Sequence, residues 1–282
     1  MQKFLIPTDF SREAENALQT AIPIAKAFNS TMVILHILEI ASKNVDISGD
    51  FDVVEASTEL QMGLKVAQEN LARSITLHNL KDCGVKFETI IRIGSVSNQI
   101  ESYIKSENID FVVMGTKSAW GLSDILLGTT TDKLLRRVDC PVLSVNKVIP
   151  TESFKKIVFP TTTFNKEKNL VAVIKTFQRL FDSKIYLVRI NTPLHFKPDN
   201  VSRHMLEEFA RKHDLKNYEV FVFSHTEEED GIRDFADIKN AGLIAVATSA
   251  HTGLRKLFSG SVTKELVSHS TRPVLTMKVD ES

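Results

Sequence analysis

Residues 116–143 of the chain read TKSAWGLSDILLGTTTDKLLRRVDCPVL, and residues 248–275 read TSAHTGLRKLFSGSVTKELVSHSTRPVL. The second stretch follows the first at an offset of 132 residues and keeps two glycines, two leucines and the closing Pro-Val-Leu. The shared positions include Gly121, Leu122, Gly128, Leu134, Pro141, Val142 and Leu143. A match of this length indicates an internal duplication, which decides the architecture of the whole chain.

The amino-terminal parts of the two copies also correspond, at a different offset. Phe4–Asp9 (FLIPTD) aligns with Ile157–Thr162 (IVFPTT) at an offset of 153 residues, and the same offset places Val33–Ile37 over Tyr186–Ile190. The second copy is therefore 21 residues shorter than the first, and the loss falls between Ile190 and about Thr226.

Each copy alternates apolar strand patterns with amphipathic helix patterns. Strands that are apolar throughout and separated by helices are typical of a parallel sheet covered on both faces. The sequence thus predicts an α/β fold of two tandem, doubly wound, five-stranded parallel-sheet domains of Rossmann-like type, over residues 1–147 and 154–282, with a linker at Asn146–Phe154. The expected strands are Lys3–Pro7, Thr31–Leu38, Val85–Ile93, Phe111–Met114 and Val142–Val145, then Lys156–Pro160, Ile185–Ile190, Tyr218–Phe223, Leu243–Ala247 and Val274–Val279.

Four helices are expected in the first copy. Arg12–Phe28 has an apolar face but contains Pro23, which we expect to kink or shorten it. Thr58–Lys81 opens on a Thr58-x-x-Gln61 capping box and has Gly84 beyond its end. The polar stretch 41–56 before it is expected to be a loop. The remaining helices are Asn98–Glu107 and Thr129–Val138, and the shortened second helix of the second copy is expected at about Ser202–His213.

Composition argues against several classes of protein. The 282 residues hold 35 basic and 35 acidic side chains, and a chain without excess positive charge gives little support for nucleic-acid binding. No apolar run approaches the roughly 20 residues that span a bilayer, so no membrane partner is expected. The opening MQKFLIPTDF does not resemble a secretory signal. Two cysteines, Cys83 and Cys140, cannot form a disulfide framework, which favours the cytoplasm.

Catalytic and metal motifs are not found in the sequence. The eight histidines show neither H-x-x-E-H nor H-E-x-x-H spacing, there is no G-x-S-x-G elbow, and Cys140 has no identifiable histidine partner. We therefore expect no metal site and no catalytic residue.

One nucleotide-like arrangement remains after the G-x-G fingerprint and the Walker loop are excluded. Gly115 ends a buried strand, and Gly128-Thr129-Thr130 opens a helix whose free N–H groups could hold an anion. Asp9 follows the first strand at the same edge of the sheet, where doubly wound folds bind ligands. The alternative is that both glycines serve turns and that Thr129 and Asp9 are helix caps.

These residues resemble a known family. Pro-Thr-Asp after the first strand, Leu-His-Ile in the second, G-x2-G-x9-G-[S/T], and a closing C-P-V-L-x-V are similar to the universal stress protein family, and the resemblance covers both halves. It implies strand order 3-2-1-4-5 in each half, and ATP, possibly with Mg²⁺, as ligand. It also implies that the last strands, Pro141–Val145 and Pro273–Met277, pair antiparallel within the chain as a pseudo-dimer, which leaves other faces for a homodimer.

The resemblance also implies roles for individual residues. Asp9 and the Ile37 backbone would hold adenine and ribose, and Met114 and Gly115 would line the ribose. The phosphates would be surrounded by Lys117, Ser118, Gly128, Thr129 and Thr130.

The chain departs from the family pattern in both copies. Ser118 stands where the family has its second glycine. In the second copy the counterparts of Asp9, Gly115 and Ser118 are Thr162, Ala247 and Ala250, and only Gly260-Ser261 survives. We therefore expect a stress-response protein whose first half binds ATP or a related adenine nucleotide, whose second half serves assembly or regulation, and whose protein partner is unknown. The alternatives are a ligand-independent interaction scaffold with both pockets decayed, and a weak ATPase.

Overall fold

The computed structural model describes residues 1–39, 53–117, 129–161, 167–248 and 260–279. It contains ten strands: β1 (Lys3–Thr8), β2 (Thr31–Leu38), β3 (Phe87–Ile93), β4 (Phe111–Gly115), β5 (Val142–Val145), β6 (Lys156–Pro160), β7 (Lys184–Asn191), β8 (Tyr218–Ser224), β9 (Leu243–Thr248) and β10 (Val274–Lys278). Eight α-helices accompany them in the described residues: α1 (Arg12–Phe28), α2 (Val53–Leu77), α3 (Val96–Ser106), α4 (Thr129–Arg137), α5 (Lys168–Phe181), α6 (Asp199–Lys212), α7 (Glu228–Ile238) and α8 (Gly260–His269). A 3₁₀ turn at Thr151–Lys155 leads into β6.

All ten strands form one sheet, in the order β3-β2-β1-β4-β5-β10-β9-β6-β7-β8. Within each half the strands are parallel and follow the expected 3-2-1-4-5 order, so the predicted fold class is confirmed. The halves meet through β5 and β10, which pair antiparallel with Leu143 opposite Leu275. This is the internal pairing of the last strands that the family resemblance implies.

The helices cover both faces of the sheet. One layer of core side chains comes from α1, α2, α5 and α6. The other comes from α3, α4, α7 and α8. Strands buried on both faces have no solvent side, which explains why their sequences show little polar alternation.

A group of phenylalanine rings joins the two halves on the first of these faces. The ring centre of Phe177 in α5 lies 5.6 Å from that of Phe28 and 6.1 Å from that of Phe111. Both of these rings belong to the first copy. It also lies 5.5 Å from Phe154 in the turn before β6 and 5.4 Å from Phe181. Phe177 is fully buried, so the interface between the halves is part of the continuous core.

Hydrogen bonds fix the linker against both copies. The side-chain amide of Asn146 donates to the backbone carbonyl of Ser270 at 2.9 Å. The backbone carbonyl of Asn146 accepts from the side-chain amide of Asn16 at 3.2 Å. The buried backbone N–H of Ile149 donates to the Thr20 hydroxyl at 3.0 Å. The linker is thus anchored in the core and restrains the relative position of the halves.

Two expectations about helices are wrong. Helix α2 begins at Val53, so Thr58 lies inside the helix and is not its cap. The expected loop 41–56 is therefore helical from Val53 onward. Residues 41–52 lie outside the described ranges. Helix α1 runs from Arg12 to Phe28, so the expectation that Pro23 shortens it is wrong, whereas a kink at Pro23 stays a prediction. Burial of neighbouring residues such as Leu18, Ala21 and Ile24 against the sheet outweighs the one backbone hydrogen bond that a proline removes.

We predict that Phe177→Ala lowers the free energy of unfolding by about 3–5 kcal/mol, because it removes a fully buried ring shared by both halves. Since the ring joins the halves, wild-type unfolding in urea should be a single cooperative transition by fluorescence and circular dichroism. Phe196→Ala is the control, because that ring is 67% exposed and its loss should change stability little. Equal destabilisation by the two changes would contradict the shared core.

Candidate functional site

A crevice of about 570 Å³ opens at the carboxyl ends of β1 and β4. The strand order reverses between β1 and β4, which makes this the topological switch point of the sheet. Doubly wound folds bind their ligands at this point. The volume lies within the roughly 300–1,000 Å³ typical of small-molecule sites. Six of the residues expected from sequence line it together: Asp9, Ile37, Met114, Gly115, Lys117 and Thr130.

The other three expected residues belong to the segment before α4 and to its first position. Ser118 and Gly128 lie outside the described residues. Thr129 begins α4, and its side chain is outside them as well. The described crevice therefore comprises the end of β4, the first turn of α4 from Thr130 onward, and the walls opposite them.

The loop between β1 and α1 holds Asp9 in place. The Asp9 carboxylate accepts hydrogen bonds from the backbone N–H and the hydroxyl of Ser11, and Ser11 in turn caps α1 by accepting from the Ala14 N–H. Phe10 adopts a positive φ of 63° and donates its N–H to the Thr8 hydroxyl. Asp9 is therefore a support for the helix cap, and one of its carboxylate oxygens is engaged in the turn.

His36 stabilises the same loop from β2. Its Nδ1–H donates to the Thr8 carbonyl at 2.8 Å, and its ring lies 4.5 Å from the Phe10 ring. In the second copy Arg189 takes this position and donates instead to the His195 carbonyl at 3.1 Å. In the first copy, the bond from β2 restrains the loop that lines the crevice. In the second copy, the corresponding bond from β7 restrains the loop before α6.

The absence of a side chain at Gly115 serves packing. A Cβ atom built there would lie 2.2 Å from the Glu13 carbonyl oxygen and 2.7 Å from the Ala14 nitrogen. The first turn of α1 therefore approaches the end of β4 too closely for any other residue. Gly115 also lines the crevice, and its missing side chain brings α1 close as a wall. Its role towards a ligand stays a prediction.

The second copy has alanine, Ala247, at the corresponding position, and its side chain is buried at the end of β9. At the offset of 153 residues, Arg12 corresponds to position 165, whereas α5 begins at Lys168, three positions later.

Sequence reasoning missed several residues that line the crevice. Val96 and Ile100 of α3 add an apolar wall, and Thr131 adds a buried hydroxyl-bearing side chain. Two acidic residues, Glu13 and Glu39, also line this space. The i, i+4 spacing of Val96 and Ile100 was the one available signal, and it shows only that this face of α3 is apolar.

Two carboxyl groups change the corresponding region of the second copy. Glu167 stands in place of Ala14, and Glu228 in place of Val96, both of which line the first crevice. Glu167 is almost fully buried, and the Thr161 hydroxyl donates to it. Burial raises the pKa of Glu167 to about 8, against a smaller lowering by Thr161. Burial, with Glu229 nearby, raises the pKa of Glu228 to about 7, although Arg189 opposes this.

The described residues provide little for catalysis or metal binding. No cluster of three or more histidine, cysteine or acidic side chains within them is arranged to hold a metal ion. Burial raises the pKa of the Cys140 thiol to about 12, so the sulfur stays protonated at neutral pH and is a poor nucleophile. None of the described helices is long and apolar enough to cross a bilayer.

Comparison with known proteins identifies the family. The model of the universal stress protein family matches residues 1–146 and again 153–278. The chain belongs to the universal stress protein family. A universal stress protein of Methanocaldococcus jannaschii is 31% identical over 146 residues, covering 52% of this chain and 82% of its own length. A second from the same organism is 29% identical over 155 residues, covering 52% of this chain and 95% of its own.

The tandem arrangement also has a counterpart among solved structures. The crystal structure of a universal stress protein from Archaeoglobus fulgidus superposes with a TM-score of 0.75 and covers 98% of each chain at 17% identity. This shows that the full-length fold of two universal stress protein repeats is shared. The crevice described above belongs to the first of these repeats.

We predict that Gly115→Ala lowers the free energy of unfolding by about 2–3 kcal/mol, because the new methyl group overlaps the backbone of α1. Gly63→Ala in α2 is the matched control. Its Cβ would meet only the flexible Leu38 side chain at 3.0 Å, and alanine favours a helix. Chemical denaturation of both variants measures the difference. A Gly115 variant as stable as the wild type would refute the close approach.

We predict a pH-dependent effect for Glu167→Gln. The pKa of this carboxyl rises from 4.5 to about 8 on folding, so the native state holds the proton more tightly between these values. Relative to the variant, wild-type stability should be greatest below pH 4.5, fall by up to about 1.4 kcal/mol per pH unit above it, and level off beyond pH 8. Urea denaturation from pH 5 to 9 measures this. Glu208→Gln, at an exposed position of α6, is the control and should change stability little. A pH-independent difference at Glu167 would contradict the buried carboxyl.

Proposed function

We propose that the first domain, residues 1–147, binds ATP or a related adenine nucleotide, and that the second domain, residues 154–282, does not. The observation that carries the proposal is the convergence of Asp9, Ile37, Lys117 and Thr130 on one crevice at the switch point of the sheet. Apolar walls from Met114, Val96 and Ile100 fit a planar base. Polar groups of the same crevice, such as Asp9 and Lys117, fit ribose and phosphate.

The start of α4 supports phosphate binding at the far side of the crevice. The helix begins at Thr129, directly after Gly128, and its first N–H groups have no partners within the helix. Together with the Lys117 side chain, the positive end of this helix favours an anion. Mg²⁺, where present, would neutralise part of the phosphate charge.

The second domain lacks the same capacity on physical grounds. Glu167 and Glu228 place carboxyl groups where the first domain has Ala14 and Val96. Both side chains are larger than those they replace, and Glu228 takes the place of an apolar residue in the wall that would face the base. The second domain then serves assembly, because β10 covers the open edge of β5. Nucleotide binding in the first domain would signal stress status in the cytoplasm to a protein partner.

We predict that ATP with Mg²⁺ raises the melting temperature of the wild-type chain and that Gly128→Val abolishes the shift, because a branched side chain before α4 obstructs the phosphate position. Gly260→Val, the same change at the start of α8, should leave the shift intact. Differential scanning fluorimetry at millimolar nucleotide measures both. Loss of the shift in the Gly260 variant alone would reverse the assignment of the two domains. No shift in the wild type, with no adenine nucleotide recovered by acid extraction, would favour a ligand-independent scaffold.

A further inference from the structure

The ten-stranded sheet ends at β3 on one side and at β8 on the other. An edge strand presents backbone N–H and C=O groups that can pair with another strand, and proteins usually protect such an edge with charged side chains. The β3 strand carries two of them, Glu88 and Arg92. The β8 strand reads YEVFVFS, in which the single charged residue, Glu219, is followed by the five uncharged residues Val220–Ser224. The edge at β8 is therefore the less protected of the two.

Hydrogen bonds at the two ends of β8 show which of its backbone groups face outward. The Asn217 carbonyl accepts from the Ile185 N–H, and the His225 N–H donates to the Asn191 carbonyl, each at 3.0 Å. Successive residues of a strand direct these groups to opposite sides, so the odd-numbered residues from 217 to 225 bond to β7. The even-numbered residues between them direct their N–H and C=O groups away from the sheet.

These outward groups match those of a second copy of the same strand. In antiparallel pairing about a twofold axis at Val222, Val222 faces itself and Val220 faces Ser224, so every facing residue has outward backbone groups to offer. The Val220 carbonyl accepts from the Arg203 guanidinium at 3.4 Å, a long bond that a paired strand would replace.

The side chains of β8 fit the same register. Phe221 would lie opposite Phe223 of the second copy, and aromatic cross-strand pairs stabilise a sheet. Both rings are half-buried, so part of their surface remains for a partner. Glu219 would face His225, so no like charges meet, whereas an axis at Phe221 would place Glu219 against Phe223.

The surroundings of β8 also suit a second copy. A groove of about 720 Å³ lies between α6 and β8, with apolar surface from Leu215 and Val220 and with charges of both signs, such as Glu207 and Arg211. A strand added at β8 would extend the sheet beside this groove. The chain already closes an edge in this way, since β5 and β10 pair antiparallel and continue one sheet across both halves.

We infer that the β8 edge is a docking surface for a second copy of this chain, which pairs antiparallel about Val222 and joins two ten-stranded sheets into one. The inference does not depend on nucleotide binding, because β8 is the outermost strand of the second domain and the crevice lies between β1 and β4 of the first.

Analytical ultracentrifugation of the full-length chain at micromolar concentration tests the inference. We expect a dimer, and we expect Val222→Lys to weaken its association at least about tenfold, because two like charges would meet at the axis. Thr89→Lys is the matched control, because Thr89 is exposed on β3 at the opposite edge, and it should leave association unchanged. A monomeric wild type would overturn the inference. A dimer that survives Val222→Lys, or that is lost in Thr89→Lys, would do so as well.

Oxidative cross-linking tests the register without weakening the dimer. In a chain with Cys83→Ser and Cys140→Ser, Val222→Cys should give a disulfide-linked dimer with diamide, because facing Cα atoms in such a pair lie about 5.5 Å apart. Val220→Cys should not, because its two copies are offset by roughly 13 Å along the strands. Failure of Val222→Cys to cross-link, or equal cross-linking by Val220→Cys, would overturn the pairing about Val222.

Discussion

The antiparallel pair of β5 and β10 is the contact on which the arrangement of the chain depends. Each half is an open parallel sheet whose last strand is apolar and would otherwise expose unpaired backbone groups. Pairing Leu143 with Leu275 closes both edges at once and turns two sheets of five strands into one of ten. The phenylalanine group around Phe177 and the anchored linker then follow, because they fill the space that this pairing creates between α1 and α5. The second domain thus completes the sheet of the first.

The close approach of α1 to β4 plays the corresponding part inside the first domain. The helix start at Arg12 and the glycine at 115 depend on one another, because together they bring the first turn of α1 against the end of β4. His36 holds the preceding loop from β2, on the other side of β1. The second domain has changed all three together: its helix begins at Lys168, alanine stands at 247, and Arg189 binds a different loop. Coupled changes of this kind are expected where residues share one packing contact.

The sequence predicts the architecture well because it is determined by local patterns. The bounds of β2, β5, β6 and α1 agree with the structure, since each is a run of apolar or periodic residues between turn-forming ones. The start of α2 was misjudged because a capping pattern at Thr58 can also occur within a helix. The crevice walls were predicted less completely. Glu13 and Gly115 lie about a hundred residues apart, and no spacing rule shows that the backbone of one excludes a side chain at the other.

The contrast between Ala14 and Glu167 shows that corresponding positions of the two copies differ in polarity. A buried carboxyl is costly because it must either lose its charge or keep it in surroundings of low polarity, and the raised pKa of Glu167 is the measure of that cost. In the first domain the same carboxyl at position 14 would stand in the crevice wall beside Thr8 and would occupy ligand space. In the second domain it is hydrogen-bonded to Thr161 and stays protonated near neutral pH, so the fold tolerates it. The two copies have therefore diverged in charge at the crevice while keeping the sheet edge that both need.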